Sequence, residues 1–269
     1  MPLEEIKKHI KADEDPLVSV ITPLYNAAAY ISETIKSVQN QTYPHWEHII
    51  VDDASGDDSA SIAQGFSTND PRIRFYPLKQ NMGAAYCRNK ATKMARGAYI
   101  AFLDADDLWH PEKLQLQLGF MAKHQCDVSY TSYLHIDQSG HPLGKRILAL
   151  PELSYKKQLL NNYVGNLTGM YNAQELGKIE APPIRKRQDW AVWLEAIKRS
   201  GKAAKGLQMD LAFYRVGTHS MSANKRKLIK YNYRFYREYL GYSGFKSTLY
   251  LLRFFFEYFF IRPKYIQKL

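Results

Sequence analysis

Cysteine is nearly absent. The 269-residue chain has two, Cys87 and Cys126, far apart and outside any metal-ligand spacing. That excludes a disulfide framework and a cysteine-based zinc site, and it fits a reducing compartment. The apolar run at 250–261, YLLRFFFEYFFI, is interrupted by Arg253 and Glu257, so it is too short and too charged to span a bilayer. Residues 1–16 are polar and charged and lack the apolar segment of a secretory signal, so a cytoplasmic location is expected. No G-x-G-x-x-G follows the first predicted strand, and there is no Walker loop, which weakens dinucleotide-binding and P-loop readings. Internal repeats and low-complexity linkers are also missing.

Hydrophobic residues make up 45% of the chain, enough for a sizeable core in one large domain or in one domain with an appendage. The net charge is +11, and its position matters more than its size. Residues 225–269 carry eleven Lys or Arg against Glu238 and Glu257, a net +9, interleaved with many Tyr and Phe. The first 224 residues are close to neutral.

Short apolar strands are expected at 18–24, 48–51, 73–76 and 99–103, alternating with helical spacing at 28–39, 58–66 and 83–95. This rhythm predicts a parallel sheet with helices on both faces. Beyond it the pattern predicts a helix over 111–124 with Pro111 at its first position and a strand over 127–134. A loop or hairpin follows over 140–155, then a short strand over 166–171. The last elements are a helix over 188–200 with Trp190, Trp193, Leu194 and Ile197 inward, and a short strand over 211–216.

The junction after the fourth strand carries the most chemistry. Asp104, Asp106 and Asp107 follow the run AYIAFL. Carboxylates gathered at a strand's C-terminal edge repel one another and lose solvation, a cost that a cation removes. Hard oxygen ligands suit Mg²⁺ or Mn²⁺, which commonly hold phosphates, and this edge of an open α/β sheet is where ligands bind. The alternative is a solvated aspartate-rich turn leading into the next helix.

Four further segments fall in order with this one: Thr22-Pro23-Leu24-Tyr25-Asn26, Val51-Asp52-Asp53-Ala54-Ser55, Asn81 to Asn89 around Gly83 and Arg88, and Arg187-Gln188-Asp189-Trp190. Together they resemble the family 2 glycosyltransferases, inverting enzymes of the GT-A fold found in bacterial cell-surface glycan synthesis. The resemblance covers residues 17–220. It implies an α/β, Rossmann-like, mostly parallel central sheet flanked by helices, with a C-terminal helical, basic and aromatic tail. The implied division is an extension at 1–16, a nucleotide-binding half at 17–107, an acceptor half at 108–220 and the tail at 221–269.

The resemblance also implies roles. Pro23 and Tyr25 hold the nucleotide base, an aromatic ring offering a flat face for stacking. Asp53 accepts a hydrogen bond from the uracil ring N–H, while Asp52 supports its loop. Gly83 leaves room where the chain passes the nucleotide. Arg88 pairs either with the aspartate cluster or with a phosphate. Asp104 lies near the ribose, and Asp106 contacts a Mn²⁺ or Mg²⁺ ion that stabilises the departing nucleoside diphosphate. Asp189 is the general base that draws the proton from the acceptor hydroxyl, or an N-cap, or both. Trp190 faces a sugar or packs in the core. His219 reaches the metal or diphosphate, or is a loop residue. The chain departs from the family pattern at Gln188, where an acidic residue often precedes the base. The expected donor is a UDP-sugar, and the expected acceptor is a glycan or glycolipid.

Three readings remain for the tail: packing on the catalytic domain, peripheral membrane contact through 225–269, or a nucleic-acid patch, with nucleic acid not the expected partner. The rival readings of the whole chain are a nucleotide-sugar-binding module without turnover and a basic nucleic-acid-binding protein.

Overall fold

A computed structural model describes residues 15–217 and 225–269. His219 therefore lies outside the described residues. The first half runs β1 (Val18–Leu24), α1 (Ile31–Gln39), β2 (Trp46–Asp52), α2 (Ser59–Asn69), β3 (Ile73–Pro77), α3 (Ala84–Met94) and β4 (Tyr99–Phe102). Then come β5 (Leu108–Trp109), α4 (Lys113–His124), β6 (Val128–Ile136), β7 (Pro142–Ile147), β8 (Glu152–Leu153), α5 (Tyr155–Leu160), β9 (Met170–Asn172), α6 (Ala173–Leu176), α7 (Gln188–Ser200) and β10 (Ala204–Arg215). The tail forms α8 (Lys225–Arg234), α9 (Gly244–Phe256) and β11 (Ile266–Lys268).

All strands join one sheet in the order β11-β7-β6-β9-β4-β1-β2-β3, with β10 paired to β5, β6 and β8. The expected parallel pairing holds for β4-β1-β2-β3 and for β6 with β10. The remaining pairs, including β4 with β9 and β6 with β7, run antiparallel, so the sheet as a whole is mixed. The change follows from the connections: β6 and β7 are joined by a tight turn, which only antiparallel neighbours permit. Opposite Leu24 lies Asp52, and opposite Ile21 lies Phe102. The C-terminal ends of β1, β2 and β4 therefore open on one edge.

Alternation along β1 divides the core. Val18, Val20 and Leu24 pack with Ile31, Ile35 and Val38 of α1 on one face, while Ile21 packs with Ile49, Ile100 and Trp193 on the other. Several expectations differ from what folds. The strand expected at 166–171 is a 3-10 turn over Asn166–Thr168 followed by the short β9, and α4 begins at Lys113, after the turn that holds Pro111. The segment at 140–155 resolves into β7 and β8, and the strand expected at 211–216 is twelve residues long. Polar Lys205, Gln208 and Asp210, with register shifts near Asp210, hide its first half from an apolar-run reading. Trp109 is a core residue, its indole donating to the Leu167 carbonyl at 2.7 Å. His48 is buried, paired with the Thr22 hydroxyl at 2.8 Å.

The tail packs by one face. Phe235, Tyr236 and Phe254 bury against Trp190, Leu194 and Leu159, and β11 pairs with β7 at the sheet's edge. The other face leaves Phe245, Leu249, Leu252, Phe256, Phe259 and Phe260 exposed, the first five spaced three or four apart along one helical stripe. Among the described residues no helix is long and apolar enough to cross a membrane.

Lys113, at the start of α4, is fully buried. Its Nζ donates to Gln117 Oε1 at 2.7 Å and lies 4.2 Å from the centroid of the Trp109 ring. Burial pushes its ammonium down to about 7. An unfolded lysine keeps its proton to about pH 10.4, so between these values the unfolded state binds more protons and stability rises with pH. Urea unfolding of the wild type should gain about 1 kcal/mol per pH unit from about pH 7 to about 8.5, where unfolded cysteines begin to ionise. Lys113→Met should flatten that slope; the same slope in the variant would assign the effect to another group.

Candidate active site

The edge where β1, β2 and β4 end is a cleft of about 510 Å³. Pro23, Tyr25, Asp53, Gly83, Arg88, Asp104 and Asp106 all line it. Seven of the expected positions, distant in sequence, thus share one wall. Tyr25 is half exposed there, its ring presented at the end of β1.

Each aspartate at this edge has a different neighbour. Asp52 is buried and accepts from the Ser55 amide and hydroxyl, at 3.1 and 2.5 Å, so it shapes its loop and does not line the cleft. Asp53 is also buried, and its two oxygens accept from the amides of Met82 at 2.6 Å and Gly83 at 2.9 Å. This ties the end of β2 to the start of α3. A carboxylate has about four acceptor sites, so that tie does not exhaust it. Gly83 has φ +87, and a β-carbon there would meet nothing within 4 Å. The backbone conformation therefore favours glycine, and the space beside it is free of protein.

Arg88, one turn into α3, donates to Asp104 Oδ1 at 2.5 Å. Its Nε is buried without a hydrogen-bond partner among the described residues, a donor suited to an anion. Burial works against its charge, but Asp104, with a smaller contribution from Asp189, holds the guanidinium above its usual value. Asp106 faces the cleft. The protein crowded around it and the charge of Asp104 raise its carboxyl above the ordinary range. Asp107 is buried and raised further by that burial, by Asp106 and by Asp104; it accepts from the Arg215 amide at 2.9 Å.

Asp104 and Asp106 form a pair of hard oxygen donors whose mutual repulsion a divalent cation would relieve. Mg²⁺ sites are commonly built from one or two carboxylates plus substrate phosphates, so the pair fits such an ion. No group of three or more His, Cys, Asp or Glu able to hold a metal occurs among the described residues, which leaves the other ligands to substrate and water.

Asp189 sits in the first turn of α7. It makes no cap bond; the N-cap position is Arg187, in the left-handed conformation with φ 71. Asn162 Nδ2 donates to Asp189 Oδ2 at 2.8 Å. Asp189 and Arg88 line one narrow cavity beside the main cleft. Arg88 therefore borders both.

Trp190 is not a sugar platform. It is fully buried, stacked on Phe235 at 4.3 Å, with its indole donating to the Gln158 carbonyl. A residue on the same helix as Asp189 but one position on points inward, into the core.

Four residues that the sequence did not single out support the site. Asn166 Nδ2 approaches Asp104 Oδ1 at 3.4 Å. Arg215 anchors the aspartate loop by donating to the Asp106 carbonyl at 2.8 Å. Asn162 holds Asp189. Arg262, in the tail, donates to Asn161 Oδ1 at 2.6 Å and to the Asn162 carbonyl. Nearby Glu257 bonds the Tyr163 hydroxyl and Lys157. The tail thus fixes the loop that fixes Asp189. Only Arg215 carried a sequence signal, a cation ending a strand in a chain with an aspartate cluster.

The chain matches the family model for glycosyl transferase family 2 over residues 19–178. It is 47% identical over 223 residues to the putative teichuronic acid biosynthesis glycosyltransferase TuaG of Bacillus subtilis, covering 83% of this chain and 88% of that protein. It is 36% identical over 217 residues to WfgD of Escherichia coli, described as a UDP-Glc:alpha-D-GlcNAc-diphosphoundecaprenol beta-1,3-glucosyltransferase, covering 81% and 84%. The fold is that of S. aureus TarS 1–349, solved with UDP-GlcNAc, at TM-score 0.70 and 22% identity, covering 92% of this chain and 74% of that one.

Phe235→Ala should cost about 3–5 kcal/mol in urea unfolding, as for a buried aromatic. A double-mutant cycle with Trp190→Ala should return about 1 kcal/mol of coupling. Costs under about 0.5 kcal/mol would mean that the tail does not pack on α7 in solution.

Proposed function

The chain belongs to glycosyltransferase family 2, and from that membership we propose that it moves a sugar, with inversion, from a UDP-linked donor to a lipid-linked glycan used in cell-surface polysaccharide synthesis. The observation that carries the reading is Arg88, which borders both the cleft of Tyr25, Asp53, Asp104 and Asp106 and the cavity of Asp189. A donor held in the first is within reach of a base in the second.

In this reading Tyr25 stacks on the uracil and Asp53 reads its ring N–H beside the amides it already holds. Gly83 lets the chain pass close to the nucleotide. Arg88 offers its unpartnered Nε to the diphosphate. Asp106, with Asp104 beside it, would hold Mn²⁺ or Mg²⁺, and such an ion would supply positive charge to offset that on the leaving nucleoside diphosphate. The acceptor oxygen attacks the anomeric carbon from the face opposite the leaving group. As that bond forms, the bond from the anomeric carbon to the diphosphate oxygen breaks, and the hydroxyl proton passes to Asp189. One displacement inverts the centre, so no glycosyl-enzyme forms, in contrast to a retaining glycosidase. Asn162 keeps Asp189 aimed.

The relative WfgD acts, by its description, on a diphosphoundecaprenol-linked sugar. A lipid-linked acceptor also accounts for the tail's exposed stripe. Phe245, Leu249, Leu252, Phe256, Phe259 and Phe260 would enter the interface of the cytoplasmic membrane while nearby Lys and Arg meet anionic lipid.

Calorimetric titration of UDP with Mn²⁺ should show binding that a chelator or Asp106→Asn abolishes. Asp189→Asn should bind UDP normally and lose transfer by about 10²–10⁴-fold. Transfer that survives in Asp189→Asn would overturn the base, and a product with the donor's anomeric configuration would overturn inversion. Replacing Leu252, Phe256 and Phe259 by Ser should reduce co-sedimentation with anionic vesicles without changing UDP affinity; unchanged sedimentation would remove the membrane face.

A further inference from the structure

A second cavity, about 890 Å³, lies against the same glycine. Its wall comes from three places: the start of α3 at Gly83, the segment before α7 with Arg185 and Lys186, and the face of α8 that carries Lys230, Tyr231 and Arg234. Among the described residues four cations line it, and no carboxylate does. Lys186 Nζ lies 5.3 Å from the centre of the Tyr231 ring. Arg234 pairs at 3.3 Å with Glu238, one turn further along the chain and outside the cavity wall. The start of α3 is already held by Asp53, which accepts from the Gly83 amide. The positive charge here therefore comes from the four side chains, an arrangement whose self-repulsion an anion relieves.

Only Gly83 and Ala84 are common to the walls of this cavity and of the aspartate cleft. Asp53, Asp104 and Asp106, the groups suited to a base and a metal-bound diphosphate, all face the other cleft. Gln188, next to Asp189, faces this one. The basic cavity thus meets the aspartate cleft at Gly83 and takes part of its wall from Gln188, at the start of α7, the helix that carries Asp189.

We propose that this cavity binds the phosphate groups that join the acceptor glycan to its lipid. The proposal rests on the lipid-linked acceptor reading above and adds where that acceptor is gripped. It also gives a chemical reason for Gln188 where family members often carry an acidic residue: a carboxylate there would face the phosphates and repel them.

The test uses the full chain and farnesyl diphosphate as probe, titrated with UDP and Mn²⁺ already saturating. The wild type should bind it, and Arg185→Gln/Lys230→Gln should bind it at least tenfold more weakly while UDP affinity stays within twofold. Arg185→Lys/Lys230→Arg, which keeps the charge, should retain the probe, and farnesol should not distinguish the proteins. Equal binding of farnesyl diphosphate to wild type and the Gln variant would overturn the proposal. So would displacement of the probe by UDP, or a parallel fall in UDP affinity, which would make the cavity part of the donor site. Wild type that fails to bind UDP sinks the donor reading instead; the comparison repeated without nucleotide, in chelator, still decides the cavity.

Discussion

The site depends on how the fold accommodates five aspartates at the ends of β2 and β4, the two strands that flank β1. Left alone, they would repel one another and lose hydration. Four are answered locally: Asp52 by Ser55, Asp53 by two backbone amides, Asp104 by Arg88, and Asp107 by the amide of Arg215. Asp106 is exposed to the cleft, and the protein crowded around it and the charge of Asp104 raise its carboxyl. Asp107, buried, is raised further despite the Arg215 amide. The unrelieved charge thus gathers at Asp106 and Asp107, and of the two only Asp106 lines the cleft, where a divalent cation would relieve it.

Arg88 connects this arrangement of charge to the cavity of Asp189. It neutralises Asp104, keeps one donor free, and borders the cavity of Asp189. The geometry behind Asp189 is equally layered. Trp190 and Trp193 root α7 in the core, and Gly169 has no room for a β-carbon against the Trp193 ring. Asn162 then reaches Asp189 from a loop that Arg262 and Glu257 hold from the tail. The position of Asp189 is set by rigid neighbours, each locked by another.

What could be read in advance follows from how local each signal is. The strands β1, β2 and β4 were legible because apolar runs end abruptly in polar residues, and the cleft residues were legible because they sit at those ends in a recognisable order. Asn162 and Arg262 were not, since Asn162 meets Asp189 across 27 positions and Arg262 meets Asn162 across 100, and neither type stands out in its own neighbourhood. The orientation of Trp190 depended on which face of α7 the tail would cover. The tail's two roles were indistinct for a related reason: aromatic residues occupy both faces of α9, so its pattern does not say which face is buried until α7 is in place. β11 is three residues long, and nothing in Ile266–Lys268 marks it as a strand without β7 beside it.

That last pairing has a consequence for the protein among its neighbours in the cell. The outer strand of a sheet is a template, a row of unpaired amides and carbonyls on which another chain can add. β7 would be such an edge, six residues long and bearing exposed Leu143. The chain covers it with its own final residues, down to the bond from the Leu269 amide to the Gly144 carbonyl at 2.9 Å. The new outer strand is short and carries Lys268, a charge that discourages further addition. The tail that holds the loop of Asp189 through Arg262 thus also closes the edge of the sheet through β11.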